Sequence, residues 1–348
     1  MTGPIVLLFG GTSDERLVSV ASAQNVAATR PDAEPWFLTP EGAVVRAARE
    51  ALLAHERPFE RAFGVEREPE WESLERALDA APCDAVFVLA LHGGDGENGV
   101  VQRALEERGL AFTGSGSLAS ALAFDKARAK EAVARAGVRT PSALVLAGAE
   151  GDVARALQAS FGARGRLVVK PVASGSSVSL FHLREAREIE GIARHVAAAG
   201  VPFLAEDFVS GVELTIGVVD ERAGLAALPP SEVRLEAGAA FDYAGKYLGR
   251  GVVEVTPAQV ATDVAAAAQE AALAAHRATG CEGYSRTDVI AGEGGVTFLE
   301  INTLPGLTKA SFVPQQLAAS GRTLGGFLER QIEVARRRSG ASEPGRKG

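Results

Sequence analysis

Apolar positions fall into short unbroken runs that alternate with longer stretches of helical periodicity. Ile5–Phe9 (IVLLF) and 85–91 (AVFVLAL) are of strand length and carry no polar residue. Such runs are expected of parallel strands covered on both faces. Each run closes on glycine, at Gly10-Gly11 and at His92-Gly93-Gly94. Val100–Arg108 has helical periodicity and meets Gly109 where a left-handed C-terminal cap belongs. Residues 1–114 therefore predict an αβ domain with a mostly parallel sheet. Its functional edge is the carboxyl end of the strands, where both glycine turns fall.

A second unit is predicted over 115–206, with Gly114-Ser115-Gly116 as the connection. It contains a helix from about Lys126 to Ala136, stopped by Gly137 before Pro141, and strands at 167–171 (LVVKP) and 203–208 (FLAEDF). A third unit is predicted over 207–340. It comprises the strand 213–219 (ELTIGVV), an irregular stretch at 229–257, an alanine-rich helix at 258–278 and a hairpin. From Arg337-Arg338 onward the chain is polar and is expected to fray, with 341–348 a disordered tail. The fold class is thus α/β followed by two α+β units.

Composition narrows the function. A chain of 348 residues with 47% hydrophobic content can bury a large core, and 39 glycines with 6% aromatics suit an α/β enzyme rich in tight turns. A net charge of −8 gives no electrostatic footprint for nucleic acid. Two cysteines, Cys83 and Cys281, imply no disulfide framework. The opening Met1-Thr2-Gly3-Pro4 has no basic region, and the apolar run after it is too short for a signal peptide or a membrane span. A cytoplasmic setting is the expectation.

The densest chemistry lies at 284–306 (YSRTDVIAGEGGVTFLEINTLPG). With a turn centred on Gly294 and no bulge, Asp288 stands opposite Glu300 and Arg286 opposite Asn302. Side chains alternate at period two, so all four share one face. Two carboxylates and a carboxamide are hard oxygen donors, suited to Mg²⁺ rather than zinc. A solvated face with an Arg–Asp pair is the alternative. Lys170, closing four strand residues, either snorkels to water or reaches a ligand, and Gly175-Ser176-Ser177 after it could cover phosphates. Neither GxxxxGK[ST] nor a GxGxxG with its acidic partner occurs. Glu206 and Glu213 flank a strand–hinge–strand segment that is either an ordinary linker or a nucleoside seat.

The order of the motifs goes further. VLLFGGTSDERLVSVASA (6–23), LHGGDGENGVVQ (91–102), GLAFTGSGSLASALAFDKARAKEAVARAGVRTP (109–141), VVKPVASGSSV (168–178), AEDFVSGVELTIGVV (205–219), FDYAGKYL (241–248), GCEGYSRTDVI (280–290) and FLEINTLPGLTKASFVP (298–314) follow one another. This series resembles the D-alanine–D-alanine ligases of the ATP-grasp superfamily over nearly the entire chain. The resemblance implies a cytoplasmic homodimer that joins two D-alanines through an acyl-phosphate, for peptidoglycan precursors. It implies ATP and two Mg²⁺ ions, with Mn²⁺ as a substitute.

By the same resemblance, Lys126, Lys170 and the loop residue Lys246 contact the nucleotide, Glu206, Asp207 and Phe208 form the adenine hinge, and Glu213 holds the ribose. Asp288, Glu300 and Asn302 hold the metals. Glu15 holds the first substrate's ammonium with His92 nearby, and Arg286 and the N–H of Gly306 stabilise the tetrahedral intermediate. Ser311 and Phe312 seat the second carboxylate, and Glu15, Ser176 and Tyr247 link a closing loop that includes Tyr243. Ser179 stands where the family usually has glycine, Phe312 where leucine is common, and Val252–Val255 departs from a more polar stretch. These departures leave D-lactate, D-serine or another amino acid as alternative second substrates. A nucleotide-binding regulator without catalysis is the reading from another class, and the intact Arg286, Asp288, Glu300 and Asn302 speak against it.

Overall fold

A computed structural model of the chain describes residues 3–173, 179–235 and 252–341. The first sheet runs in the order β3-β2-β1-β4-β5, from β1 (Ile5–Gly10), β2 (Ala33–Leu38), β3 (Val44–Arg46), β4 (Val86–Leu89) and β5 (Ala111–Phe112). Its pairings are parallel except for the antiparallel edge β3. β1 and β4 are buried along their whole length, as their unbroken apolar sequences require. The chain leaves β1 toward β2 and returns to β4 on the other side. That switch opens a crevice at the carboxyl ends of β1 and β4, where Glu15 and His92 follow.

The second sheet, in the order β6-β9-β7-β8, is antiparallel throughout and consists of β6 (Ala143–Leu146), β7 (Leu167–Pro171), β8 (Phe181–Leu183) and β9 (Phe203–Asp207). The helices Glu150–Arg164 and Ile189–Ala199 supply Val153, Leu157, Ile192 and Val196 to its own core. The third sheet contains β10 (Val212–Glu221), β11 (Gly224–Ala227), β12 (Ser231–Leu235), β13 (Val252–Val255), β14 (Tyr284–Gly292) and β15 (Gly295–Asn302). Its main path is β13-β12-β10-β14-β15, with β11 on β10. One face, through Leu214, Ile216, Val218 and Val289, packs on Ala268 and Ala272 of the helix Thr262–Ala278. The other face carries the polar cluster.

Two expectations need correction. The stretch 229–257 is not irregular throughout, because Ser231–Leu235 pairs with β10 and Val252–Val255 pairs with Ser231–Leu235. Nor does the chain fray from Arg337, since the last helix runs Leu324–Ala341. The guanidinium of Arg338 donates to the carbonyls of Phe112 (2.8 Å) and Gly114 (2.7 Å) and pairs with Glu282 (2.9 Å). Residues 342–348 lie outside the described residues. The same helix places Phe327, Leu328, Ile332 and Ala335 in the core of the first sheet.

Cys83 is exposed and Cys281 buried, and neither forms a disulfide. Among the described residues no helix is long and apolar enough to cross a membrane.

Ser179, the residue standing in place of the family's usual glycine, has φ +59°. A side chain there costs roughly 1–2 kcal/mol against a right-handed conformation, while glycine forfeits about 0.5–1 kcal/mol of chain entropy on folding. Ser179→Gly is therefore expected to stabilise the protein by roughly 0.5 kcal/mol. Denaturant unfolding measures this, and a loss of stability would show that the serine makes a compensating contact.

Candidate active site

The hairpin β14–β15 brings the candidate metal ligands together. Arg286 stands opposite Asn302 and Asp288 opposite Glu300, in the expected register. The route to that register differs from the expectation. Gly292 pairs with Gly295, so the turn is Glu293-Gly294 and its centre lies half a residue before Gly294. Val289 pairs with Phe298, which leaves Leu299 unopposed as a bulge. The shorter turn and the extra residue cancel, so the four polar side chains reach one face.

Neighbouring strands and a helix complete the cluster. Thr215 on β10 stands opposite Asp288 and its hydroxyl donates to the Asp288 carboxylate. Arg286 grips the same carboxylate with two N–H groups at 3.0 and 2.8 Å. Lys126, first residue of the helix Lys126–Arg135, stands 3.6 Å from Glu300. Each carboxylate thus faces a cation. The donors fit a hard cation: Asp288 and Glu300 present carboxylate oxygens and Asn302 a carboxamide oxygen. Among the described residues no three His, Cys, Asp or Glu side chains gather as a metal site. A bound Mg²⁺ would therefore complete its shell with phosphate oxygens and water.

A second polar cluster lies on the facing sheet. Lys170 on β7 is buried and pairs with Glu206 of β9 at 2.6 Å. It neither snorkels nor stands free. Lys130, one helical turn after Lys126, reaches the other Glu206 oxygen at 3.0 Å. Burial alone would raise the Glu206 pKa, but Lys170 and Lys130 outweigh it and hold the carboxyl below its usual range. Burial likewise pulls Lys170 down, yet Glu206 and Glu300 carry it above the usual lysine value. For Lys130 burial wins over Glu206, and its pKa falls to about 8.

Just beyond Glu206, the N–H of Asp207 donates to Ser142 O (2.9 Å) and that of Phe208 to Arg166 O (3.1 Å). These two residues can therefore offer a base their carbonyl oxygens but not their N–H groups. The Phe208 ring lies under the Arg166 guanidinium at 3.9 Å, and Asp207 pairs with Arg164 at 3.2 Å. Glu213 lies on β10 two residues from Thr215, on the face that carries Asp288. It helps hold Lys170 protonated.

The first domain closes the site from the other side. Glu15 precedes the helix Arg16–Thr29, and a methyl at Gly93 would stand 3.4 Å from the Glu15 carboxyl carbon. Glycine keeps that wall back. His92 is buried, with Nε2 2.9 Å from Ser22 Oγ and Nδ1 3.7 Å from Glu97. Ser22 Oγ also accepts from Leu307 N–H (3.2 Å), and Asn25 donates to Leu307 O (2.7 Å). The first helix thus pins the loop that carries Gly306. A β-carbon on Gly306 would come within 2.6 Å of Ser311 Oγ, so a side chain there would push the Ser311 hydroxyl aside. Ser311 Oγ lies 2.8 Å from Thr308 Oγ1 and opens the helix Phe312–Ala319. The unpaired N–H groups of that first turn favour an anion.

An open cleft of about 1120 Å³ is lined by Glu15, Lys126, Arg286, Asp288, Glu300, Asn302, Gly306, Ser311 and Phe312. His92 is not on its wall but reaches it through Glu97, which is. Lys170 and Glu206 belong to the second cluster, with Glu213 close enough to act on Lys170, while Asp207 and Phe208 lie against Arg164 and Arg166. Ser176, Tyr243, Lys246 and Tyr247 lie outside the described residues. Sequence reasoning missed Lys130, Glu97, Thr215 and Thr308. Lys130 had a signal: it shares the buried helix face of Lys126, Ala129 and Val133, where a lysine needs a partner.

Comparison with known proteins agrees with this architecture. The family model described as D-ala D-ala ligase N-terminus matches residues 4–115, and that described as D-ala D-ala ligase C-terminus matches 152–333. A D-alanine–D-alanine ligase of Leptospira interrogans serovar Lai is 33% identical, covering 96% of this chain and 99% of its own. One from Methylobacterium radiotolerans is 36% identical at the same coverages. Among solved structures, the VanG D-Ala:D-Ser ligase of Enterococcus faecalis has TM-score 0.78 at 25% identity, over 96% of this chain and 100% of that one. The D-alanine–D-alanine ligase of Bacillus anthracis complexed with ATP has TM-score 0.73 at 25% identity, over 98% and 99%. With both family models matched and full-length relatives above 30% identity, the chain belongs to the D-alanine–D-alanine ligase family.

Proposed function

We propose that the protein joins two D-alanines into D-alanyl-D-alanine with conversion of ATP to ADP and phosphate, for peptidoglycan precursor synthesis in the cytoplasm. The observation that carries this reading is one cleft holding two kinds of group. Glu15, Arg286, Gly306 and Ser311 can seat two amino acids, and Lys126 with Asp288, Glu300 and Asn302 can seat a polyphosphate. Residues 1–114 serve the first substrate, while 115–206 and 207–340 hold the nucleotide between them. Loop residues Ser176, Lys246 and Tyr247 close the site, and the active form is a homodimer.

A carboxylate is a poor electrophile. Its oxygen attacks the γ-phosphorus, ADP leaves, and the carbonyl becomes an acyl-phosphate. The deprotonated amine of the second amino acid then attacks that carbon, and phosphate leaves with the electron pair of the C–O bond. Mg²⁺ held by Asp288, Glu300 and Asn302 supplies neutralisation of phosphate charge. Glu15 pairs with the first ammonium and aims its carboxylate at the phosphate end of the cleft. Arg286 and the Gly306 N–H face the oxyanion of the tetrahedral intermediate. Ser311 and the first N–H groups of its helix hold the second carboxylate. Lys170 and the hinge after Glu206 hold the nucleotide, and Glu213 its ribose.

The test incubates the protein with ATP, Mg²⁺ and D-alanine, alone and with D-serine, D-lactate or L-alanine, and identifies products by mass. D-Alanyl-D-alanine is the expected main product. A D-alanyl-D-serine product of equal yield would favour the second reading, which the likeness to the VanG ligase motivates. ATP consumption without any amino acid would overturn both.

The two seats separate in positional isotope exchange within ATP, which reports the first step alone. Glu15→Gln is expected to suppress exchange. Ser311→Ala is expected to keep it and to raise KM for the acceptor. The opposite pattern would reverse the seats.

A further inference from the structure

Lys130 takes no part in the mechanism above, yet it is 4% exposed and sits between the two halves of the nucleotide site. Its ammonium donates to the carbonyl of Leu299 at 2.7 Å and stands 3.0 Å from Glu206. It also lies 5.7 Å from the centre of the Phe298 ring. An ammonium has three donors and no acceptor; the Leu299 carbonyl accepts from one of them, and the contact with Glu206 is an ion pair. The partners differ in kind. Glu206 directly precedes the hinge Asp207-Phe208, and its other oxygen is held by Lys170 at 2.6 Å. Leu299 is the unopposed bulge residue, and its neighbour Glu300 faces the phosphate end of the cleft.

The bulge sets which way β15 turns its side chains. If β15 ran on without a bulge, Leu299 rather than Glu300 would stand opposite Asp288, and Glu300 and Asn302 would exchange faces with Leu299 and Ile301. A bulge carbonyl has no ladder partner, so what receives it decides whether the bulge stays in place. Here that partner is a buried cation whose remaining charge is spent on Glu206. The two edges of the site are therefore joined through one nitrogen atom.

We propose that Lys130 is a positioning residue whose ammonium locks Glu206 and the Leu299 bulge together, and so fixes the adenine edge of the site relative to Glu300. The proposal rests on the ATP-dependent ligase reading and extends it to a residue that touches no substrate. It makes the two edges interdependent: a change at Glu206 is felt at Glu300 through Lys130.

The experiment measures each edge separately. AMP binding without metal, by calorimetry, reads the adenine edge. The Mg²⁺ concentration giving half-maximal dipeptide formation reads the other. Lys130→Met keeps the apolar stem against Phe298 and removes the ammonium. It is expected to weaken AMP binding about tenfold or more and to raise half-saturating Mg²⁺ by about tenfold, roughly the loss of one charge-assisted contact. KM for D-alanine should stay within about twofold, since Lys130 does not line that part of the cleft. Glu206→Gln, which leaves every proposed metal ligand intact, should also raise half-saturating Mg²⁺.

A folded Lys130→Met protein with a lower Tm, but unchanged AMP affinity and Mg²⁺ dependence, would reduce Lys130 to core stabilisation and overturn the proposal. If Lys130→Met does not fold, Glu206→Gln decides: an unchanged Mg²⁺ requirement overturns the proposal and a raised one supports it. Wild-type protein that forms no dipeptide would instead remove the reading on which it rests.

Discussion

Glu300→Gln is expected to fold normally and to lose at least about a hundredfold in kcat for dipeptide formation, a scale typical of removing one preorganised electrostatic partner. The substitution preserves shape and hydrogen-bonding capacity while deleting one negative charge. Glu300 sits opposite Asp288 on the same face and 3.6 Å from Lys126, so the lost charge is one that faces both a cation and the cleft. Because Glu300 is only half-buried, the melting temperature should change little. Turnover measured by product mass, alongside a thermal melt, checks both halves. Near-normal turnover in a folded variant would remove Glu300 from the proposed metal site.

Lys170→Ala is expected to have two consequences, and the structure separates them. Lys170 holds one oxygen of buried Glu206 at 2.6 Å, so its removal leaves that carboxylate to Lys130 alone. Breaking a buried pair from one side costs about 3–5 kcal/mol, and a marked fall in stability should follow. ATP affinity should also fall about ten- to a hundredfold if the ammonium contacts phosphate. Calorimetry with two nucleotides distinguishes the causes. A loss for ATP well beyond that for AMP marks a phosphate contact. An equal loss for both would mean that Lys170 acts only by holding Glu206.

The sequence made the buried parallel strands legible because β1 and β4 are apolar on both faces, and a run such as IVLLF has few other uses. Some strands of mixed composition were not legible. Ala33–Leu38 begins Ala-Glu-Pro, and Ser231–Leu235 and Val252–Val255 mix polar and apolar residues, so none of them carries the unbroken apolar run that marks β1 and β4. The metal-side residues could be paired from spacing alone. That success hid two errors of opposite sign, a turn placed half a residue too late and a bulge left out, since bulges leave no mark in the apolar pattern. The fate of Lys170 was out of reach for another reason. Its partner Glu206 lies on a different strand, and Lys130 on a helix, so only tertiary packing brings the three together. Arg338 shows the same limit, because a polar C-terminal sequence looks frayed until its carbonyl partners at 112 and 114 are known.

That last helix also sets an order of events during synthesis. All five strands of the first sheet have been made once the ribosome passes Phe112. Phe327, Leu328, Ile332 and Ala335, which pack into the core of that sheet, emerge only with the final turns of the chain. The earliest-made sheet therefore waits, with part of its apolar face uncovered, for the latest-made helix. A nascent chain stalled before residue 327 exposes that face to chaperones and proteases, while the second sheet, whose core draws on residues 146–205, can already close on itself.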